Sequence, residues 1–197
     1  MRINQATDRE RSTAARREQI VAATIKVLAE RGYGATSYDA ICEVAGLSSK
    51  RLISYHFSTK DDLLAEVLHR VTTDAAAVMR PAIEAATGAD GKLAAYIRSN
   101  VEFIAAHPAH IRAVQQIVYG GAPVPTEEAD AAVSRLNRLF DEGQRTGVFR
   151  KFDTLLMAYT VRAAIDASAG RLIAGADPEN CATELAETFH RATRIQR

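Results

Sequence analysis

A chain of 197 residues with 47% hydrophobic content is long enough for a proper core, as one domain or two small ones. Its net charge of +1 names no partner, but residues 1–60 hold ten Lys/Arg against six Asp/Glu while residues 61–197 hold fifteen against eighteen, and that asymmetry points to an anionic partner for the first part. The two cysteines, Cys42 and Cys181, lie far apart in separate helical patterns and read as reduced small hydrophobes, and the chain has neither an apolar signal core nor a run approaching about 18 apolar residues, so export and membrane spanning lack support and the cytoplasm is the default location.

Residues 1–13 (MRINQATDRERST) are polar and mixed in charge, and two readings stand for them: a disordered terminus, or a flexible arm reaching along DNA with Arg2, Arg9 and Arg11. From Ala14 onward Ile20, Thr24, Val27 and Leu28 fall at helical spacing, and Gly32 supplies a stop. Thr36-x-x-Asp39 reads as a capping box that opens a second helix, with Ala40, Ile41, Val44 and Ala45 on one face. Gly46 ends that helix in the left-handed conformation, Leu47 drops back onto it, and Ser48 or Ser49 caps a third.

At about 100° per residue the third helix separates into two faces. Leu52, Ile53, His56 and Phe57 share one side, while Lys50, Arg51, Ser54 and Tyr55 share the other, with no carboxylate among them. A short helix on an apolar base with such a face suits a major groove, where Arg and Lys donate to guanine O6 and N7 and hydroxyls reach phosphates. The competing reading is an ordinary amphipathic helix with solvated cations. The Gly-Leu turn, the capped helix before it and the missing acids favour the groove.

Thr59-x-x-Asp62 starts a fourth helix with a stripe of Leu63, Leu64, Val67, Leu68 and Val71, expected to end or kink at Pro81. After a break at Gly88–Gly91 the pattern stays helical, with no run of period two: helices are expected over about 92–106, 109–119, 126–145, 153–174 and from Asp177-Pro178 on. Glu127, Glu128 and Asp130 suit a helix start, and Gly120 to Pro125 is the clearest loop. The whole reads as all-α, about nine helices.

In the middle helices Tyr96, Asn100, Phe103, Gln115, Gln116, Tyr119, Met157, Tyr159, Arg162 and Asp166 are polar-tipped or adaptable residues among apolar ones, the mixed lining of a small-molecule site. Tyr159, Arg162 and Asp166 share a helix face, and the last two either read a polar ligand group or pair with each other. Small residues Ala163, Ala164, Ala167, Ser168, Ala169 and Gly170, with Cys181, Leu185 and Phe189 after them, mark the last two helices as an assembly surface; the alternative is that they close a monomer core. A helical metal enzyme has His107, His110 and Glu102 as its best ligands, but no convincing further ligand, no Gly-rich phosphate loop, no nucleophile elbow and no HExxH. No catalytic residue, metal or cofactor is assigned.

The stretch from Ala14 to Leu68 closely resembles the N-terminal DNA-binding domain of the TetR/AcrR family of bacterial transcriptional regulators. Its motifs are Gly32-Tyr33-Gly34, Ala35-Thr36-Ser37, Ala45-Gly46-Leu47-Ser48, Tyr55-His56-Phe57, and Lys60 ahead of Leu63-Leu64. From Gly46 to Phe57 there is one residue more than the commonest family spacing, which implies an insertion at Ser48-Ser49 in the turn. Counted back from Tyr55-His56-Phe57, the resemblance implies base contact from Lys50, Arg51 and Tyr55 and phosphate contact from Thr36, Ser54, His56 and Lys60. It further implies a helix-turn-helix domain over residues 1–60 and a helical ligand-binding and dimerisation domain over 61–197. The expected function is a ligand-responsive repressor that binds a palindromic operator in double-stranded DNA as a homodimer through its last two helices and is released by an unidentified small molecule. The alternatives are an activator, a fold relative acting through protein partners, and the metal enzyme above.

Overall fold

The computed structural model describes the backbone of residues 2–123 and 126–195 and the side chains of residues 10–123 and 131–195. Its described secondary structure is nine helices: α1 (Arg2–Arg31), α2 (Tyr38–Ala45), α3 (Lys50–His56), α4 (Lys60–Ala85), α5 (Gly88–Ala106), α6 (Pro108–Tyr119), α7 (Thr126–Arg145), α8 (Thr154–Ile173) and α9 (Pro178–Thr193). Two compact units divide the chain, one of Met1–Val71 with Ala109–Val124, the other of Thr72–Pro108 with Pro125–Arg197. The first therefore takes in α6 and the first half of α4 besides residues 1–60.

Local chemistry accounts for most helix ends. Asp153 and Asp177 cap α8 and α9 by accepting from the backbone N–H of Leu156 and Glu179. Thr59 and Asp62 make a reciprocal box at the start of α4, each side chain accepting from the other's N–H at 3.0 Å. Four expected boundaries shift. α1 starts at Arg2, not near Ala14, because nothing in residues 2–13 is a Gly or Pro that would stop it; the side chains of Arg2 and Arg9 lie outside the described residues. α2 is capped by Ser37, whose hydroxyl accepts from Ala40 N–H at 3.2 Å, so the box expected from Thr36 does not form. α4 continues through Pro81 for one further turn, where the missing N–H removes a single bond near an exposed end. α5 begins at Gly88 itself, so Gly88–Gly91 forms its first turn rather than a break. The side chains of Glu127, Glu128 and Asp130, expected to favour the start of α7, and residues Val124 and Pro125 of the preceding loop lie outside the described residues.

In the first unit α1 buries Ile20, Val21, Thr24, Val27 and Leu28, α2 adds Ile41 and Ala45, and α4 adds Leu63, Leu64 and Val67. Arg31 pairs with Glu43 at 2.9 Å and Gln19 donates to the Ala45 carbonyl at 2.6 Å, so the last turn of α2 is fastened to α1 at two points. In the second unit α5 is packed by α7, α8 and α9 and buries Leu93, Tyr96, Ile97, Val101, Phe103 and Ile104. Phe140, Phe149 and Phe152 form an aromatic cluster with ring centroids 5.5 to 6.3 Å apart, and Arg98 joins α5 to α9 through Glu179 at 3.1 Å.

Candidate functional site

A sharp turn mounts α3. Gly46 adopts φ 64°, a conformation that costs a side chain strain, and Leu47 N–H returns to the Cys42 carbonyl at 2.9 Å while its side chain is buried. Ser48 is exposed, and Ser49 is the cap, accepting from Arg51 N–H at 3.2 Å. The helix then seats Ile53 fully and Phe57, its C-terminal neighbour, almost fully in the core, with Leu52 and His56 half-buried. Lys50, Arg51, Ser54 and Tyr55 are all exposed, Tyr55 at 74%. The two faces are those of the helical wheel.

Arg17 of α1 holds the far end of α3. It donates to the His56 carbonyl at 2.8 Å and to Glu66 of α4 at 2.6 Å, and its guanidinium lies 4.4 Å from the centre of the Phe57 ring. Burial, with Arg17 and Arg16 nearby, pulls the His56 imidazole below its ordinary value, so it is neutral at pH 7.

The remaining expected DNA contacts divide. Thr36 is 2% exposed and its hydroxyl donates to the Gly32 carbonyl at 2.8 Å, which leaves no donor for a phosphate; its burial comes from closing the α1–α2 turn. Lys60 is half-buried with its ammonium 4.6 Å from the centre of the Tyr33 ring. That ring is fixed from α6: Gln116 Oε1 accepts from Tyr33 N–H at 2.9 Å, and a Cβ on Gly120 would lie 2.3 Å from the ring, so only glycine permits the approach. Lys50 carries an acid that the wheel of α3 lacks. Its Nζ donates to Asp39 Oδ2 of α2 at 2.9 Å, with both side chains more than half exposed, and the pairing raises the ammonium's pKa.

Of the residues expected around a small molecule, four converge in the second unit. Arg162 Nη1 donates to Tyr96 Oη at 3.1 Å and to Asn100 Oδ1 at 3.2 Å, its Nη2 donates to Asp166 Oδ1 at 2.7 Å, and Asn100 Nδ2 donates to the Tyr96 carbonyl at 2.7 Å. Tyr96 and Asn100 are buried, the Arg162 side chain is 26% exposed, and Asp166 is the outermost member at 62%. In the same unit Phe103 is buried, Met157 half-buried and Tyr159 half exposed. Gln115, Gln116 and Tyr119 belong to the first unit, Gln115 half-buried, Gln116 on Tyr33 and Tyr119 82% exposed. The sequence reading missed Asp39 and Arg17, whose partners lie 11, 39 and 49 residues away with no local signature.

No group of three or more His, Cys, Asp or Glu among the described residues is placed to hold a metal, and His107 stacks on Phe103 at 4.3 Å. No helix among them is long and apolar enough to cross a membrane.

Residues 20–67 match the family model described as bacterial regulatory proteins, tetR family. The HTH-type transcriptional activator FasR of Mycolicibacterium smegmatis (strain ATCC 700084 / mc(2)155) is 34% identical over 89 residues, which span 45% of this chain and 40% of that protein's length. A TetR-like transcriptional regulator from Rhodococcus sp. RHA1 superposes with a TM-score of 0.72 at 22% identity, covering 91% of this chain and 96% of that one. AibR, solved in complex with isovaleryl coenzyme A and operator DNA, superposes with a TM-score of 0.75 at 16% identity, covering 88% and 97%. Residues 20–67 thus carry the segment described by the tetR family model, and the all-helical whole shares the fold of TetR-like regulators.

Proposed function

We propose that the chain is a ligand-responsive repressor, acting in the cytoplasm, that grips a palindromic operator as a homodimer and lets go when a small molecule binds its second unit. The observation that carries this reading is the exposed face of Lys50, Arg51, Ser54 and Tyr55 on a base of Ile53 and Phe57, inside the segment that matches the family's model. Lys50, Arg51 and Tyr55 are assigned to base edges; Ser54, His56 and Lys60, with Ser48 and Ser49 at the turn, are assigned to the backbone. His56 is half-buried at the edge of this face and is assigned there by its ring N–H.

Exposed Leu155, Leu156 and Tyr159 on α8, with Ala163, Ala167 and Gly170 exposed along the same helix, support pairing of α8 and α9 across a twofold axis. The effector is assigned to the surroundings of Tyr96, Asn100 and Arg162, where a polar ligand group would replace outermost Asp166. AibR's complex with both a coenzyme A ester and operator DNA supports a two-ligand role for this fold. Release requires that the ligand bind the two states unequally, since equal affinity shifts nothing. The name of FasR favours a second reading, activation from the same DNA contacts.

The test is selection from a pool of random duplexes at moderate salt with wild type and a Lys50→Ala, Arg51→Ala double variant. Enrichment of a palindrome by wild type alone is expected. Equal retention by the double variant would remove α3 as the reader.

A further inference from the structure

Among the described residues, Lys50 and Asp39 are where an acid enters the exposed cationic face. A carboxylate there is costly beside phosphates unless it finds a donor, and the only donors a groove offers it are base amino groups. In the major groove a G·C pair presents guanine N7 and O6 as acceptors and, next to them, the cytosine N4 amino group as a donor. O6 and N4 are hydrogen-bonded to each other, so they sit about 2.9 Å apart. The ammonium and carboxylate of this chain are 2.9 Å apart and both more than half exposed. Donor faces acceptor and acceptor faces donor at one spacing.

We propose that Asp39 and Lys50 together read one G·C pair in each half-site, Lys50 Nζ donating to guanine O6 and Asp39 Oδ accepting from cytosine N4. This rests on α3 entering the major groove. Asp39 is thereby a specificity-determining residue contributed by α2. Ser37, not Asp39, caps α2 through Ala40 N–H, so removal of the Asp39 carboxylate keeps that capping bond. A Lys50 without Asp39 would still favour guanine but would also accept thymine O4 or a phosphate, so the acid narrows the choice by rejecting bases with no amino group at that place.

The experiment compares wild type, Asp39→Asn and Asp39→Ala, each first checked for an unchanged unfolding midpoint, by the same random-duplex selection and then on the selected operator with N4-methylcytosine at single positions. The added methyl occupies the outward amino hydrogen and leaves pairing intact. Wild type is expected to enrich a G·C at one position per half-site and to lose about five- to hundredfold affinity when that cytosine is N4-methylated. Asp39→Ala should ignore the methyl and accept other pairs there. A wild type indifferent to methylation at every position, or an Asp39→Ala variant with unchanged base preference and uniformly tighter binding to all duplexes, overturns the inference while leaving α3 as the reader. A wild type that enriches no sequence sinks the reader assignment, and the pair's role with it.

Discussion

The two polar clusters of the molecule use the same chemistry at opposite ends of exposure. On α2 and α3, Lys50 has one partner, Asp39, and both face solvent; around α5 and α8, Arg162 has Tyr96, Asn100 and Asp166, and two of the three are buried. A charge in water gains little from its partner and is ready to exchange it for another anion or base. A charge mostly out of water keeps its neighbours satisfied, and the fold depends on it. The first cluster is thus suited to binding a partner that arrives intact, the second to being part of the protein until something displaces its outermost member.

Changes to each cluster test that distinction. Arg162→Ala should show the largest effect, about 2 to 3 kcal/mol in urea unfolding, because it strands Tyr96 Oη and Asn100 Oδ1. A loss below half a kcal/mol would mean the cluster is as expendable as the surface pair. Arg51→Ala should cost about 1 to 3 kcal/mol of affinity on the preferred duplex, relax the preference there, and barely move unfolding; equal loss on every sequence would assign Arg51 to phosphate alone. Lys50→Met should change unfolding by about 0.5 kcal/mol or less while altering DNA binding, and a larger stability loss would contradict its solvent exposure. The smallest effect concerns His56. Its folded pKa lies below the unfolded value of 6.5, so the unfolded chain takes up the proton first and stability falls as pH drops below that value, while above it the group contributes no pH slope. Unfolding midpoints of wild type and His56→Gln at pH 7.5 and 5.5 measure this, and an acid-induced loss no smaller in the variant would assign the slope elsewhere.

What could be read from the sequence was what is decided within a few residues. Gly46-Leu47, the Thr59/Asp62 box and Asp177-Pro178 are local chemistry, and Ile53 and Phe57 follow from helical period alone. Thr36 and Ser37 are adjacent hydroxyls, and period cannot say which turns inward; the Gly32 carbonyl claimed Thr36 and left the cap to Ser37. Gly88 keeps a left-handed φ of 72° at the first position of α5, and Pro81 lies one turn from the exposed end of α4, so each sits where a helix tolerates it. Arg162 with Asp166 was legible at a spacing of four, but Tyr96 and Asn100 reach them from another helix. Asp39 has the spacing of half a capping box, and nothing local signals its reach across the turn to Lys50.

Arg17 grips the end of α3 by a backbone carbonyl and by Phe57, leaving out every side chain on the exposed face. The bracket is therefore indifferent to what is written on the plate it carries. Under the proposed reading of α3, substitutions at positions 50, 51, 54 and 55 would alter the message without loosening the mount, so new sequence preferences could evolve, or be engineered, one letter at a time at almost no cost to folding.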